Sequence, residues 1–163
     1  MIGNPLGAFL FAFGLLEVCI LEANLFTGKA GYLWKEEPFN LFTILIFNLI
    51  SGWIIGFLLG IANNSLVIEA ENRIATWDFS INFFIKSIFC GIIMYIAVET
   101  FKRKNIIGIF YGVPLFILCG FQHCIANIII LGIAKTFSFT IFIAIIGNLI
   151  GSIIMSLLMV KQE

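Results

Sequence analysis

The chain has 163 residues, of which 61% are hydrophobic and 11% are charged, and its formal net charge is zero. Its mean hydropathy is +1.13, whereas a soluble domain is usually about 45–50% apolar and about 25% charged, so the composition indicates a membrane protein. The one short basic run, Lys102-Arg103-Lys104, does not favour a nucleic-acid partner. The four cysteines lie in apolar segments without metal-ligand spacing, so we expect no metal and no other cofactor.

Five apolar segments follow one another along the chain: residues 6–27, 39–62, 79–101, 106–133 and 137–160. Each has at least the ~20 residues that a helix needs to cross ~30 Å of hydrocarbon. The bilayer core offers no water to backbone polar groups, so helices are the expected form for all five. The longest connection, roughly 63–78, is polar and acidic. The sequence therefore predicts an all-α membrane protein with a single transmembrane domain over residues 1–163.

The distribution of basic residues predicts the orientation of the chain. If the chain has five spans, six basic residues fall on one side of the membrane: Lys29, Lys35, Lys102, Arg103, Lys104 and Lys161. The other side carries Arg73 and Lys135, with Lys86 near a helix end. Basic residues accumulate on the cytoplasmic side, so we expect a multi-pass cell-membrane protein with a cytoplasmic C-terminus.

The two ends of the chain resemble each other at an offset of 100 residues. Asn48-Leu49-Ile50 recurs as Asn148-Leu149-Ile150, and the segment ending in Leu25-Phe26-Thr27 lies opposite Ile125-Ala126-Asn127. Three spans separate the equivalents, so the two copies would have opposite orientations. Inverted repeats with interrupted helices place a site near the membrane midplane, where they meet.

The two copies are unequal in length. The second copy, 79–160, begins with the span 79–101, but the first copy, 6–62, has no partner for that span. A complete pair would have three spans in each half. We therefore expect five of six spans, with the first helix missing; a true five-span protein is the alternative.

The fourth segment contains the motif Gly120-Phe121-Gln122-His123-Cys124-Ile125-Ala126-Asn127, which holds the only histidine of the chain. A titratable ring and amides are costly inside a segment of this apolar length, so they form a functional-site hypothesis. His123 would donate a hydrogen bond to an anion, or protonate it during passage. A structural histidine bonded to its neighbours is the alternative. Gly28 and Gly120 would supply flexibility where two helices break, and the half-helices would point their positive N-terminal dipoles inward.

Four motifs resemble, in the same order, those of the formate/nitrite transporter family of pentameric anion channels, which includes hydrosulfide channels. They are Leu25-Phe26-Thr27-Gly28, Asn48 with Gly52, the motif from Gly120 to Asn127, and Gly147-Asn148-Leu149-Ile150-Gly151. The resemblance covers essentially the whole chain but begins at the second helix of the family. It implies an aquaporin-like inverted repeat with two broken helices, and a homopentamer with one pore per protomer. Asn24 and Gln122 depart from the family pattern, which commonly has an acid at both places.

The resemblance also implies roles for polar residues around the histidine. Thr27 would face His123 from a mobile loop and hydrogen-bond to it or to the passing ion; the alternative is that Thr27 is the N-cap of a short helix. Asn127 and Asn148 would hold the broken backbone together through their side-chain amides. Lys86 resembles a family lysine and would attract anions, with snorkelling to the headgroups as the alternative.

The apolar constrictions of the family are built from phenylalanine and leucine. The candidates here are Phe11, Leu15, Leu25, Phe26 and Phe116. Such side chains dewet the path and strip water from an ion, which favours a weak-acid anion that crosses partly as the neutral acid.

The resemblance implies a channel or transporter for small monovalent anions, namely formate, nitrite or hydrosulfide. The alternatives are a membrane substrate-binding subunit of a multi-component importer and an inactive, truncated family member. An enzyme is not expected, because no pair of His, Asp or Glu has catalytic spacing. The sequence leaves the anion itself open, since the candidates share size and charge.

Overall fold

The computed structural model describes residues 5–33 and 37–159. Two of the basic residues used to predict the orientation, Lys35 and Lys161, lie outside this part of the chain. The C-terminus, which is predicted to be cytoplasmic, also lies outside it. The elements are α1 (Pro5–Ile20), α2 (Phe26–Lys29), a 3₁₀ turn (Ala30–Tyr32), α3 (Pro38–Ala62), α4 (Asn64–Ile74), α5 (Ile81–Lys102), α6 (Ile107–Leu118), α7 (Cys124–Ile133) and α8 (Thr140–Met159). No strand occurs among the described residues, which confirms the all-helical class.

Three of the described helices, α3, α5 and α8, are long and apolar enough to cross a membrane. They correspond to the predicted segments 39–62, 79–101 and 137–160, although Val160 itself falls outside the described part. The segments 6–27 and 106–133 instead form shorter helices that are interrupted before residues 26 and 124.

The polar connection 63–78 contains a helix that the sequence analysis does not predict. Helix α4 begins after Asn63, whose side-chain oxygen accepts a hydrogen bond from the Ser65 N–H at 3.0 Å. The helix is amphipathic: it buries Ala70 and packs against α7. The segment is polar overall, so its contacts with α7 and α3 are what distinguish it from a polar loop.

Helix α6 ends in a glycine-containing turn. Gly120 has φ +66°, a left-handed conformation that glycine adopts without steric cost. The Phe121 N–H donates to the Phe116 carbonyl at 2.9 Å and the Gly120 N–H to the Ile117 carbonyl at 3.1 Å. These two bonds form a Schellman motif, which stops the helix and redirects the chain.

Helix α1 ends in the same motif without a glycine. The Ala23 N–H donates to the Val18 carbonyl at 2.9 Å and the Glu22 N–H to the Cys19 carbonyl at 3.3 Å. Glu22 takes the left-handed position, with φ 51°. The prediction that Gly28 supplies the flexibility of this break is therefore wrong, because Gly28 lies inside α2, past the turn.

The helices pack around two buried apolar clusters. One lies between α1, α5 and α6, and the other joins α2, α3, α7 and α8. Helix α5 packs along α8, α3 packs along α7, and α1 packs along α6. The outer faces carry exposed apolar side chains such as Phe9, Phe47 and Leu58, as expected for surfaces that face lipid.

Two helix pairs approach so closely that only glycine fits between their backbones. A Cβ on Gly56 of α3 would collide with the Ile129 carbonyl oxygen of α7, and a Cβ on Gly151 of α8 would collide with the Ile88 carbonyl oxygen of α5. Small residues of this kind allow close packing of helices in membranes.

We expect Gly151→Ala to lower the thermal unfolding temperature of the purified protein in detergent. Overpacking against a backbone carbonyl costs about 1–3 kcal/mol. The control is Gly14→Ala in α1, where an added Cβ meets nothing within 4 Å and alanine favours the helix by roughly 0.5–1 kcal/mol. Equal unfolding temperatures for the two variants would contradict the close approach of α8 to α5.

Candidate functional site

The two helix breaks meet at a hydrogen bond between Thr27 and His123. The Thr27 Oγ1 and His123 Nε2 atoms are 3.0 Å apart, although 96 residues separate them in the chain. Thr27 is fully buried and His123 is 6% exposed. The imidazole therefore faces the protein interior, at the point where the two interrupted segments converge.

The local structure of α7 fixes the tautomer of His123. His123 is the N-cap of this helix, and its Nδ1 accepts a hydrogen bond from the Ala126 N–H at 3.1 Å. The ring proton is therefore on Nε2, which donates to Thr27 Oγ1. Thr27 makes no other side-chain hydrogen bond to a described residue, so its hydroxyl proton is available to an acceptor such as an anion. The N-cap of α2 is Leu25, so the alternative that Thr27 is the N-cap is wrong.

Asn148 of α8 bridges the second break. Its Oδ1 accepts from the Cys124 N–H at 2.8 Å, and its Nδ2 donates to the Gln122 carbonyl at 2.8 Å. Nδ2 also donates to the Ser87 carbonyl of α5 at 2.8 Å. The Asn148 side chain is fully buried. Its bonds to the Cys124 N–H and the Gln122 carbonyl satisfy backbone groups that the interruption leaves without helical partners.

Asn48 of α3 does the same at the first break. Its Oδ1 accepts from the Phe26 N–H at 2.8 Å, and its Nδ2 donates to the Asn24 carbonyl at 2.9 Å. Asn48 belongs to one of the four motifs, but its sequence context alone predicts no role for it in the site. Its repetition as Asn148 is the signal that identifies it.

The hydrogen bonds also set the register between the two breaks. Phe26 corresponds to Cys124, and Asn24 corresponds to Gln122, which is an offset of 98 residues. The two asparagines are 100 residues apart, whereas the backbone groups that they bridge are 98 residues apart.

Asn127 braces the second break from within α7. Its Nδ2 donates to Gln122 Oε1 at 3.0 Å, and Gln122 Nε2 donates to the Gly120 carbonyl at 3.1 Å. The Asn127 Oδ1 is buried and has no partner. Asn127 therefore orients Gln122 and does not cross the break itself.

The five apolar candidates occupy different surroundings. Phe116 is buried and stacks on the His123 ring, with centroids 5.6 Å apart, and Phe11 contacts Phe116 edge-on at 6.4 Å. Leu15 is buried in the first apolar cluster and Phe26 in the second, while Leu25 is half-buried at the edge of the first. The structure thus places Phe116 directly against the imidazole, with Phe11 behind it.

Two cavities lie at opposite ends of α5. One, of about 690 Å³, is lined by Leu25 and Gly28 on either side of the Phe26-Thr27 pair, and its charged lining residues are Glu22, Lys29, Lys102 and Lys104. The other, of about 290 Å³, is lined by Lys86, Arg73, Gly120 and Gln122, the residue before His123. The positions of Lys86 and Lys102 on α5 correspond to a separation of about 24 Å along the helix axis.

The rim of the larger cavity carries a charged network. The Tyr32 hydroxyl donates to Glu99, whose other oxygen pairs with Arg103 Nε at 2.9 Å. The Lys102 Nζ lies 3.4 Å from the centre of the Tyr32 ring. Burial, together with the neighbouring Glu99, raises the pKa of Tyr32, so the phenol remains a hydrogen-bond donor. Among the described residues, no group of three or more His, Cys, Asp or Glu is arranged to hold a metal.

The chain is similar to a protein of Bacillus subtilis (strain 168) described as an uncharacterized transporter, YrhG. The two are 28% identical over 180 aligned residues, which cover 92% of this chain and 68% of that protein. No protein-family model matches the chain, and no solved structure matches it. The resemblance to formate/nitrite transporters therefore rests on the motifs.

Proposed function

We propose that this chain transports small monovalent anions, such as formate, nitrite or hydrosulfide, across the cell membrane through a path centred on Thr27 and His123. The observation that carries the proposal is the buried bond between Thr27 Oγ1 and His123 Nε2. It leaves a neutral imidazole and one available hydroxyl proton at the meeting point of two interrupted helices. The Thr27 hydroxyl, held in place by the neutral imidazole, can donate to an anion without binding it as tightly as a fixed positive charge would.

The similar construction of the two breaks supports an aquaporin-like inverted repeat. Each break follows a Schellman motif, and each is bridged by an asparagine from the next long helix. Non-helical backbone at membrane depth is tolerated where it is buried in protein or lines a cavity. Paired breaks of this kind are expected of a pore and not of a membrane substrate-binding subunit of an importer, so they favour the pore.

The position of charged residues supports the proposed orientation. Lys29, Lys102 and Lys104 share one cavity, and we assign that side to the cytoplasm because basic residues accumulate there. The similarity to a protein described as a transporter supports the general role in membrane transport. Assembly as a homopentamer is proposed from the resemblance to the family alone.

Flux through proteoliposomes tests the proposal. We expect a gradient of labelled formate to equilibrate faster in liposomes that contain the purified protein than in protein-free liposomes. Gluconate, a bulky monovalent anion, serves as the control for leakage and is expected to enter both at the same rate. Formate uptake no faster than in protein-free liposomes would contradict transport by this chain.

A further inference from the structure

The smaller cavity contains two basic side chains that have no counter-ion among the described residues. Arg73 of α4 and Lys86 of α5 line it, together with Trp77, Asn82 and Gln122. Neither basic side chain forms an ion pair or a hydrogen bond with any residue in the described ranges. The Nε atom of Arg73 is buried and has no partner.

The acidic residue of the cavity does not neutralise this pair. Asp78 also lines the wall, but its Oδ1 accepts a hydrogen bond from Ser80 Oγ at 2.7 Å and lies in no ion pair with Arg73 or Lys86. The cavity therefore carries two positive charges against one negative charge. Burial lowers the pKa of Arg73 from its usual value, which reflects the cost of removing a guanidinium from water without a compensating anion.

The same cavity also borders the residues that precede the histidine. Gly120 and Gln122 line the same cavity, and the Gln122 N–H lies 3.4 Å from the Lys86 carbonyl oxygen. Gln122 directly precedes His123. An anion in this cavity would therefore lie next to the proposed path.

The shape of the guanidinium group indicates which anions fit. The N–H groups on the two Nη atoms of an arginine form a planar fork that matches two oxygens of one anion, whereas a lysine acts as a point charge. Carboxylates and nitrite present two such oxygens. Hydrosulfide and chloride present one acceptor atom and would use only half of the fork.

We propose that Arg73 and Lys86 form a binding site for planar anions with two oxygens, such as formate or nitrite, at the entrance to the path through His123. This inference rests on the proposed function and narrows it, since it selects carboxylate-like substrates over hydrosulfide. Arg73 supplies the matching pair of N–H donors, and Lys86 supplies the second positive charge.

Nuclear magnetic resonance of the arginine side chains tests binding directly. The chain has two arginines, Arg73 and Arg103, so the full chain with ¹⁵N-labelled arginine in detergent micelles gives two Nε–H signals. We expect sodium formate or sodium nitrite to shift the Arg73 signal in a saturable way. The Arg103 signal is the internal control, because this residue pairs with Glu99, and sodium chloride at equal ionic strength controls for screening. No saturable shift of Arg73, or an equal shift with chloride, would overturn the proposal.

A variant that keeps the charge but removes the fork tests selectivity. We expect Arg73→Lys to lower the ratio of formate flux to hydrosulfide flux about tenfold, the effect of losing one charge-assisted hydrogen bond. Arg103→Lys is the matched control and is expected to leave the ratio unchanged. If the wild-type protein carries formate but formate does not shift the Arg73 signal, this site is refuted and the pore is not. If formate shifts the Arg73 signal but the wild-type protein carries no formate, the site is supported and the pore is refuted.

Discussion

A His123→Asn variant is expected to fold like the wild-type chain but to carry formate about ten to a hundred times more slowly. Asparagine is a good N-cap, so its side-chain oxygen can replace Nδ1 as acceptor for the Ala126 N–H. It has no counterpart of the Nε2 proton that reaches Thr27. A hydrogen bond to a charged group contributes about 1.5–3 kcal/mol, which corresponds to that range of rates. Labelled formate uptake in proteoliposomes is the measurement.

His123→Ala provides the comparison that separates transport from stability. This variant loses both the N-cap and the bond to Thr27, so its unfolding free energy should fall by about 1 kcal/mol for the cap alone. We expect its formate flux to be as low as that of His123→Asn, with a lower thermal unfolding temperature. Wild-type flux in the asparagine variant would exclude the imidazole from the mechanism and leave it a structural role at the start of α7.

Asn148→Ala is expected to destabilise the protein by about 3 kcal/mol or more. The change removes three hydrogen bonds of one fully buried side chain. It leaves the Cys124 N–H and the Gln122 carbonyl without partners where no water can replace the amide, and each such loss costs about 1–3 kcal/mol. Thermal unfolding in detergent, followed by circular dichroism, measures the effect.

The matched control for Asn148 is its counterpart in the first half of the chain. Asn48 is half-exposed and makes two such bonds, to Phe26 and Asn24. It makes no third hydrogen bond of the kind that joins Asn148 to Ser87 within the described part of the chain. We therefore expect Asn48→Ala to lower the unfolding temperature less than Asn148→Ala does. An unchanged unfolding temperature for Asn148→Ala would contradict its role as the bridge across the second break.

The long helices and the break near Gly120 follow from local features of the sequence. Continuous apolar runs predict α3, α5 and α8, because the thickness of the hydrocarbon sets a minimum length that these runs satisfy. The break before α7 is visible because glycine and polar residues interrupt an apolar segment. The break after α1 is less visible, since Glu22 rather than a glycine adopts the left-handed turn. Helix α4 escapes prediction because it lies in a polar segment and is distinguished by its packing against α7 and α3.

The composition and the order of apolar segments thus determine by themselves that this is a helical membrane protein with a polar histidine motif in its fourth segment. Only the tertiary structure decides that the backbone groups bridged by the two asparagines lie 98 residues apart, and that Arg73 and Lys86 share one cavity. The physical reason is that helix formation in lipid depends on the hydrophobicity of each segment, whereas the partners of a polar side chain depend on which helices pack together.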